Sequence, residues 1–214
     1  VKYGLVGSAT VRPLEGEPTP PEAPEAMLRG ALRFLLDDVE ADRVLYLGVD
    51  EVIDRVVAAW AEELVPGGGD EAAFLDQVAS RAADASPEEL DALLAADRLR
   101  ERLGSRVHTL PDRETCVVEM LEGRILVAVY DKARLGEEDI ANAQILVYGK
   151  ASKPLLKRFG PRTFYTPGPV GTGELGVLEA LASGEVRLST YTASGELLGR
   201  ESLQGKAGAK MVVT

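Results

Sequence analysis

The apolar run Ile145–Tyr148, closed by Gly149, constrains this chain more than any other stretch. Four apolar residues without alternation read as a short strand buried on both faces, and a glycine is where such a strand must stop. Lys150-Ala151-Ser152 then forms a loop at the strand's carboxyl end. Two short β segments follow, broken at Gly160-Pro161, and the turn Tyr165-Thr166-Pro167-Gly168-Pro169 closes the stretch. In open α/β sheets the ligand crevice lies outside the carboxyl ends of the strands, so this loop is where chemistry is expected.

Upstream, residues 2–7 (KYGLVG) read as a first strand, with Gly7-Ser8-Ala9-Thr10 as the loop behind it. Residues 13–24 carry five prolines among glutamates and read as an extended, mobile loop. Helical spacing runs from Met27 through Leu28, Ala31, Leu32, Leu35 and Leu36 to Val39. A second buried strand follows at residues 44–49, and a second helix is marked by Val52, Ile53, Val56, Val57 and Trp60. Strand, helix, strand, helix in that order predicts a parallel, right-handed α/β beginning.

Residues 66–70 (PGGGD) punctuate the chain, with Asp70 placed to cap the next helix. Two helices are expected over residues 70–104. The second opens on a capping box, Ser86-Pro87-Glu88-Glu89, and is expected to end at Gly104. From residue 115 the period becomes that of strands. Residues 115–121 and 124–130 are joined by Glu122-Gly123, a two-residue hairpin signal. Residues 137–143 read as a short helix feeding the Ile145 strand. Residues 175–181 and 185–192 pair across Ala182-Ser183-Gly184, and residues 197–203 are expected to add a last edge strand.

The frame of the central stretch resembles the C-terminal half of the calcineurin-like metallophosphoesterases, particularly the small bacterial phosphodiesterases and the small subunit of retromer. In that family a buried strand runs into Gly-His-Thr-His, a hairpin follows, and the segment closes on Asn-Pro-Gly-Ser. Here Lys150 and Ser152 stand at the histidine positions, while Thr166 and Pro169 flank a Pro-Gly. The resemblance places Ser8 and Thr10 at the Asp-x-His motif after the first strand, and Val49 at the carboxylate of the Gly-Asp motif after the second. Asp50 lies one residue late, a slip that turns a side chain to the opposite face of a strand. Asp70 falls near the Gly-Asn-x-Asp turn, and Tyr130 at a metal-binding histidine.

The resemblance implies an α/β fold of two mixed β-sheets packed as a sandwich with flanking helices. The chain reads as a single domain of residues 1–214, and the resemblance covers most of it outside the Pro-rich loop at 13–24 and a candidate helical insertion at 70–104. It also implies a dinuclear centre that the residues here cannot build. Such a shell is histidine-rich, and this chain has one histidine, His108, away from every motif position. No metal and no other cofactor is therefore expected. Because metal-free members of this fold bind proteins, a protein-binding adaptor or regulatory subunit is the leading expectation. Binding of phosphate or a nucleotide through Lys150, and a residual hydrolase built on Asp50, Asp70 and Asp131, are the alternatives.

Charge narrows the partners. The formal net charge is −11, against generic nucleic-acid binding. Yet residues 140–173 hold no Asp or Glu and five cations, Lys150, Lys153, Lys157, Arg158 and Arg162. That reads either as a solvated basic hairpin or as a site for a phosphate or an acidic partner. With no long apolar run, no signal pattern and one cysteine, Cys116, a soluble cytoplasmic chain is expected. Cys116 itself reads as a small core residue inside the strand at 115–121, and His108 as packed or exposed on a strand. The spacing Gly171-Thr172-Gly173-Glu174-Leu175-Gly176 matches a dinucleotide fingerprint, but a strand follows it where the motif needs a helix.

Overall fold

The structure is a computed structural model and describes residues 1–9, 25–67, 71–82, 84–172 and 174–203. Strand β1 (Lys2–Val6) leads to helix α1 (Glu25–Arg33), whose last turn widens into a π-helical segment, Phe34–Asp38. Strand β2 (Arg43–Tyr46), helices α2 (Val52–Leu64), α3 (Glu71–Arg81) and α4 (Pro87–Arg106), and strand β3 (Val107–Thr109) follow. Then come β4 (Val117–Leu121), β5 (Arg124–Val129), α5 (Glu137–Asn142), β6 (Ile145–Tyr148), β7 (Leu155–Phe159) and β8 (Arg162–Thr166). Strands β9 (Glu174–Ala180), β10 (Val186–Thr192) and β11 (Leu197–Ser202) complete the described chain.

These strands form two mixed sheets. Sheet A runs β11-β10-β9-β1-β2-β3, and sheet B runs β4-β5-β6-β8-β7. Strands β1, β2 and β3 are parallel, as are β5, β6 and β8. The remaining pairings are antiparallel. Alternation along each central strand builds the layers, because successive side chains point to opposite faces. Tyr3, Leu5, Leu45 and Leu47 of sheet A meet Leu126, Ala128, Ile145 and Val147 of sheet B between the sheets. Val6, Val44 and Tyr46 point the other way, onto Leu28, Leu32, Leu35, Ile53 and Trp60 of the helices. Gly4 lets α1 sit close, since a Cβ there would lie 3.0 Å from Leu35 Cδ1. Val127 and Leu146 face outward and are covered by Ile140 of α5 and by Ala143 just after it. The order helix, sheet, sheet, helix is thus the sandwich that the resemblance implies.

Three boundaries differ from expectation by two residues or more. Helix α4 passes through Gly104 to Arg106. A helical interior glycine costs only about 1 kcal/mol against alanine, and the last turn is held by Leu103, fully buried, and by Arg106 Nη1 donating to Ala41 O at 3.1 Å. Strand β4 starts at Val117, because the Asp112 carboxylate accepts from the Glu114 and Thr115 amides and the Thr115 hydroxyl, tying residues 112–115 into a turn. Cys116 therefore precedes the strand, half-buried against the outer core of sheet B. Strand β2 ends at Tyr46, earlier than expected, so that Gly48, Val49 and Asp50 belong to the loop.

The capping box of α4 is formed as read: Glu89 N donates to Ser86 Oγ at 3.2 Å, and Ser86 N to Glu89 Oε2 at 2.8 Å. The Glu122-Gly123 hairpin has both φ angles positive, 48° and 71°, the condition for a tight turn matched to strand twist. The C-terminal half of α4 packs into the helix-side core through Leu99 and Leu103, while its N-terminal half and α3 share a small cluster of Val65, Phe74 and Leu93. The Pro-rich loop at 13–24, Asp70 with its capping role, and Gly173 of the dinucleotide-like spacing lie outside the described residues. Gly176 of that spacing stands within β9, a strand.

Candidate functional site

The carboxyl ends of the parallel strands of both sheets converge, and two polar networks occupy them. The first joins β1 and β2. The Tyr46 phenol, fully buried, donates to Asp50 Oδ1 at 2.8 Å and accepts the Ala9 amide at 2.7 Å. Ser8 Oγ lies 3.4 Å from Asp50 Oδ2, and the Val52 amide at the start of α2 donates to Asp50 Oδ1 at 3.2 Å. Burial, with the Asp50 charge behind it, pushes the Tyr46 hydroxyl far above the ordinary phenol range, so it remains a neutral donor.

The alternation of the strands continues into these loops. Ser8 and Asp50 gather at Tyr46, on the helix side of sheet A, while Val49 packs into the apolar core between the sheets. Tyr130, at the end of β5, joins that same inter-sheet core and is buried. The wall between the sheets at this end is therefore made by a valine and a tyrosine.

The second network joins β5 and β6. Gly149 N donates to Val129 O at 3.1 Å, and Lys150 N to Tyr130 O at 2.7 Å. The Lys150 ammonium then reaches Asp131 Oδ2 at 2.5 Å, while Asp131 Oδ1 accepts the Ala133 amide at 3.1 Å. Partial burial alone would raise the Asp131 pKa. The Lys150 hydrogen bond, the Ala133 amide and the nearby Lys150 and Arg134 charges outweigh it and hold the carboxyl below the ordinary aspartate range. Two further cations rim this end: Lys132 Nζ lies 4.7 Å from the Tyr148 ring centroid, and Arg113 5.9 Å from that of Tyr130.

Glycines bring the two sheets together here. A Cβ on Gly149 would overlap the Leu47 carbonyl of the facing sheet, and one on Gly7 would overlap the Gly168 carbonyl. Gly168 itself has φ 73° and donates to Thr166 Oγ1 at 3.1 Å in the buried turn after β8. Val170 N donates to Ser8 O at 3.2 Å, fastening that turn to the loop after β1. A groove of about 610 Å³ lies elsewhere, between the end of α2, α3 and α4, where Leu64, Arg81 and Leu93 line it.

Of the positions singled out in the sequence, Ser8 and Asp50 are brought together, Val49 and Tyr130 are in the inter-sheet core, and Lys150 is paired with Asp131. Ser152 is half-buried in the loop after β6. Thr10 and Asp70 lie outside the described residues. Of the basic hairpin, Lys153 and Lys157 are exposed. Arg158 donates to Glu201 Oε2 and Ser202 O, each at 2.7 Å, and Arg162 to Ala141 O at 3.4 Å. Sequence reasoning passed over Tyr46. The only signal was a hydroxyl-bearing residue inside an apolar strand, four positions before a carboxylate.

A dinuclear centre of the kind implied by the resemblance does not fit these residues. Divalent cations need several oxygen or nitrogen donors converging on one point. The described positions offer an aliphatic side chain, a buried phenol, an ammonium, and carboxylates already engaged at Tyr46 and Lys150. Among the described residues, no group of three or more His, Cys, Asp or Glu is placed to hold a metal ion.

No family model matches the chain, and no curated protein matches it. Several solved structures are similar. Wild-type Vps29 of Entamoeba histolytica, in complex with zinc, is 15% identical at a TM-score of 0.49, covering 95% of this chain and 100% of that one. A conserved uncharacterized protein of Streptococcus pneumoniae, named as a predicted phosphoesterase, is 10% identical at a TM-score of 0.47, covering 94% and 95%. A novel archaeal phosphodiesterase is 9% identical at a TM-score of 0.42, covering 94% and 99%. No helix among the described residues is long and apolar enough to cross a membrane.

Proposed function

We propose that this chain is a non-catalytic protein on a phosphoesterase-like two-sheet frame, and that it acts as a scaffold or regulatory subunit by binding another protein. The observation that carries this reading is the Lys150–Asp131 pair. Hydrolysis of a phosphoester on such a frame needs cations to activate water and to neutralise the charge developing on the phosphoryl oxygens. At the ends of β5 and β6 the available carboxylate is held by an ammonium, and an ammonium repels the cation such chemistry requires. Val49 and Tyr130 support the same reading, because each puts an apolar surface where donors would have to stand.

The phosphate-binding alternative has less support. Lys150 already donates to Asp131 at 2.5 Å, so an incoming phosphate would compete with a carboxylate in place. The hydrolase alternative would require Asp131 and Asp50 to leave their present hydrogen bonds.

The direct assay is incubation with manganese and a chromogenic phosphodiester. The expected result is turnover no higher than in the protein-free control. Turnover that disappears in Asp50→Asn or Ser8→Ala would end the reading. A pull-down with the intact chain should recover a protein partner, and the Lys150→Ala variant should still recover it.

A further inference from the structure

Sheet B ends in β7, which among the described residues pairs with β8 and with no strand on its other side. The β7–β8 hairpin closes on Phe159 opposite Arg162, with Gly160 at φ 58° followed by proline, the φ signs of a type II′ turn. In a two-residue hairpin the closing pair is hydrogen-bonded, and the pattern alternates along the strand. Leu155, Lys157 and Phe159 therefore aim their backbone groups at β8. Leu156 and Arg158 aim theirs at the open edge.

The side chains along this edge are of one sign. Lys157 is exposed, Arg158 holds Glu201 across the rim of the sandwich, and residues 140–173 contain no acid although the chain as a whole carries −11. Charged edge strands ordinarily serve to prevent strand pairing. This one repels a second copy of itself, which would bring the same cations, but it has no such defence against an acidic strand. Its outer face also offers an apolar anchor. Phe159 is 60% exposed and stands edge-on to Phe164, with ring centroids 5.7 Å apart. Leu156, on the inner face, is already seated in the inter-sheet core, so the strand is rigidly placed to receive a neighbour.

We propose that β7 is a docking edge for an extended, acidic segment of a partner protein, added as a further strand of sheet B. Its carboxylate would lie beside Lys157 and its apolar residue, two positions along, beside Phe159. Backbone bonds to Leu156 and Arg158 supply affinity, and the alternation supplies selectivity. The inference rests on the protein-binding reading above and names the chemistry of the partner.

The test uses the whole chain and a fluorescent nonapeptide, Glu-Thr-Val-Thr-Glu-Thr-Val-Thr-Glu, followed by anisotropy. Its controls replace glutamate by lysine, or the central threonines by proline at the same charge. The acidic peptide should bind and both controls should not. Lys157→Glu should weaken binding by about tenfold or more, and Lys157→Gln by less, whereas Arg81→Glu, the same charge change on exposed α3, should leave it within about twofold. Equal thermal midpoints would show that the variants are folded. Amide exchange should slow at Leu156 and Arg158 when peptide is present.

Equal binding of the proline peptide, tighter binding of a single-stranded oligonucleotide at the same edge, or the absence of any peptide binding would each overturn the proposal. The two readings fail separately. Loss of peptide binding without phosphodiester turnover removes only the docking edge, whereas turnover with peptide binding intact removes only the non-catalytic reading.

Discussion

Tyr46→Phe is the substitution that best measures how closed the strand-end site is. It removes one oxygen and keeps the ring, which is fully buried against the helix-side core. Two interactions go with that oxygen. The Ala9 amide, buried, loses an acceptor at 2.7 Å, and a buried donor left unsatisfied costs about 1–3 kcal/mol. Asp50 loses a charge-assisted bond at 2.8 Å, worth about 1.5–3 kcal/mol. Its share falls at the low end, because the Val52 amide and Ser8 still reach that carboxylate. The expected loss is about 3 kcal/mol, which for a chain of this size lowers the thermal midpoint by roughly 6–12 °C. Urea unfolding followed by circular dichroism should show a lower midpoint at unchanged slope. A loss below about 1 kcal/mol would mean that water reaches Ala9 and Asp50, and that the loops after β1 and β2 do not form the sealed network described here.

Gly149→Ala should destabilise by about 3 kcal/mol or more, since its Cβ would overlap the Leu47 carbonyl and one sheet would have to move; expression and thermal midpoint would register it. Lys150→Met should cost about 0.5–1 kcal/mol at neutral pH, because the pair is partly exposed. The Asp131 carboxyl titrates below its ordinary value, so the pair's contribution is present above about pH 4 and is lost as pH falls through the lower folded value. The stability difference between wild type and Lys150→Met should therefore shrink as pH falls below about 4 in parallel acid titrations, and a difference unchanged by acidification would refute the pairing. Ser86→Ala should lose about 1 kcal/mol from the start of α4, where its hydroxyl accepts the Glu89 amide.

Much of the frame was legible in the residues. Apolar runs at Ile145–Tyr148 and around Val44, helical spacing from Met27 to Val39, the Ser86 capping box and the Glu122-Gly123 turn are all local signals, and each element formed where its pattern lies. Gly104 misled because a helix boundary depends on what holds the last turn, here buried Leu103 and the Arg106 bond to Ala41. Cys116 misled because a tie made by Asp112 delayed the strand.

What no local pattern contains is which groups meet at the ends of the strands. Asp131 and Lys150 are 19 positions apart and become partners only through the parallel register that sets Val129 opposite Tyr148. Tyr46 and Asp50 close on Ser8 only after β1 and β2 lie side by side. Gly7 with Gly168, and Gly149 with Leu47, report how nearly the backbones touch, and that depends on two sheets stacking face to face. Composition and periodicity determined the elements and which residues face inward, since those follow from the geometry of a single strand or helix. The pairing of charges and the sealing of the strand ends were decided by tertiary packing, because they depend on distances between segments that are remote along the chain.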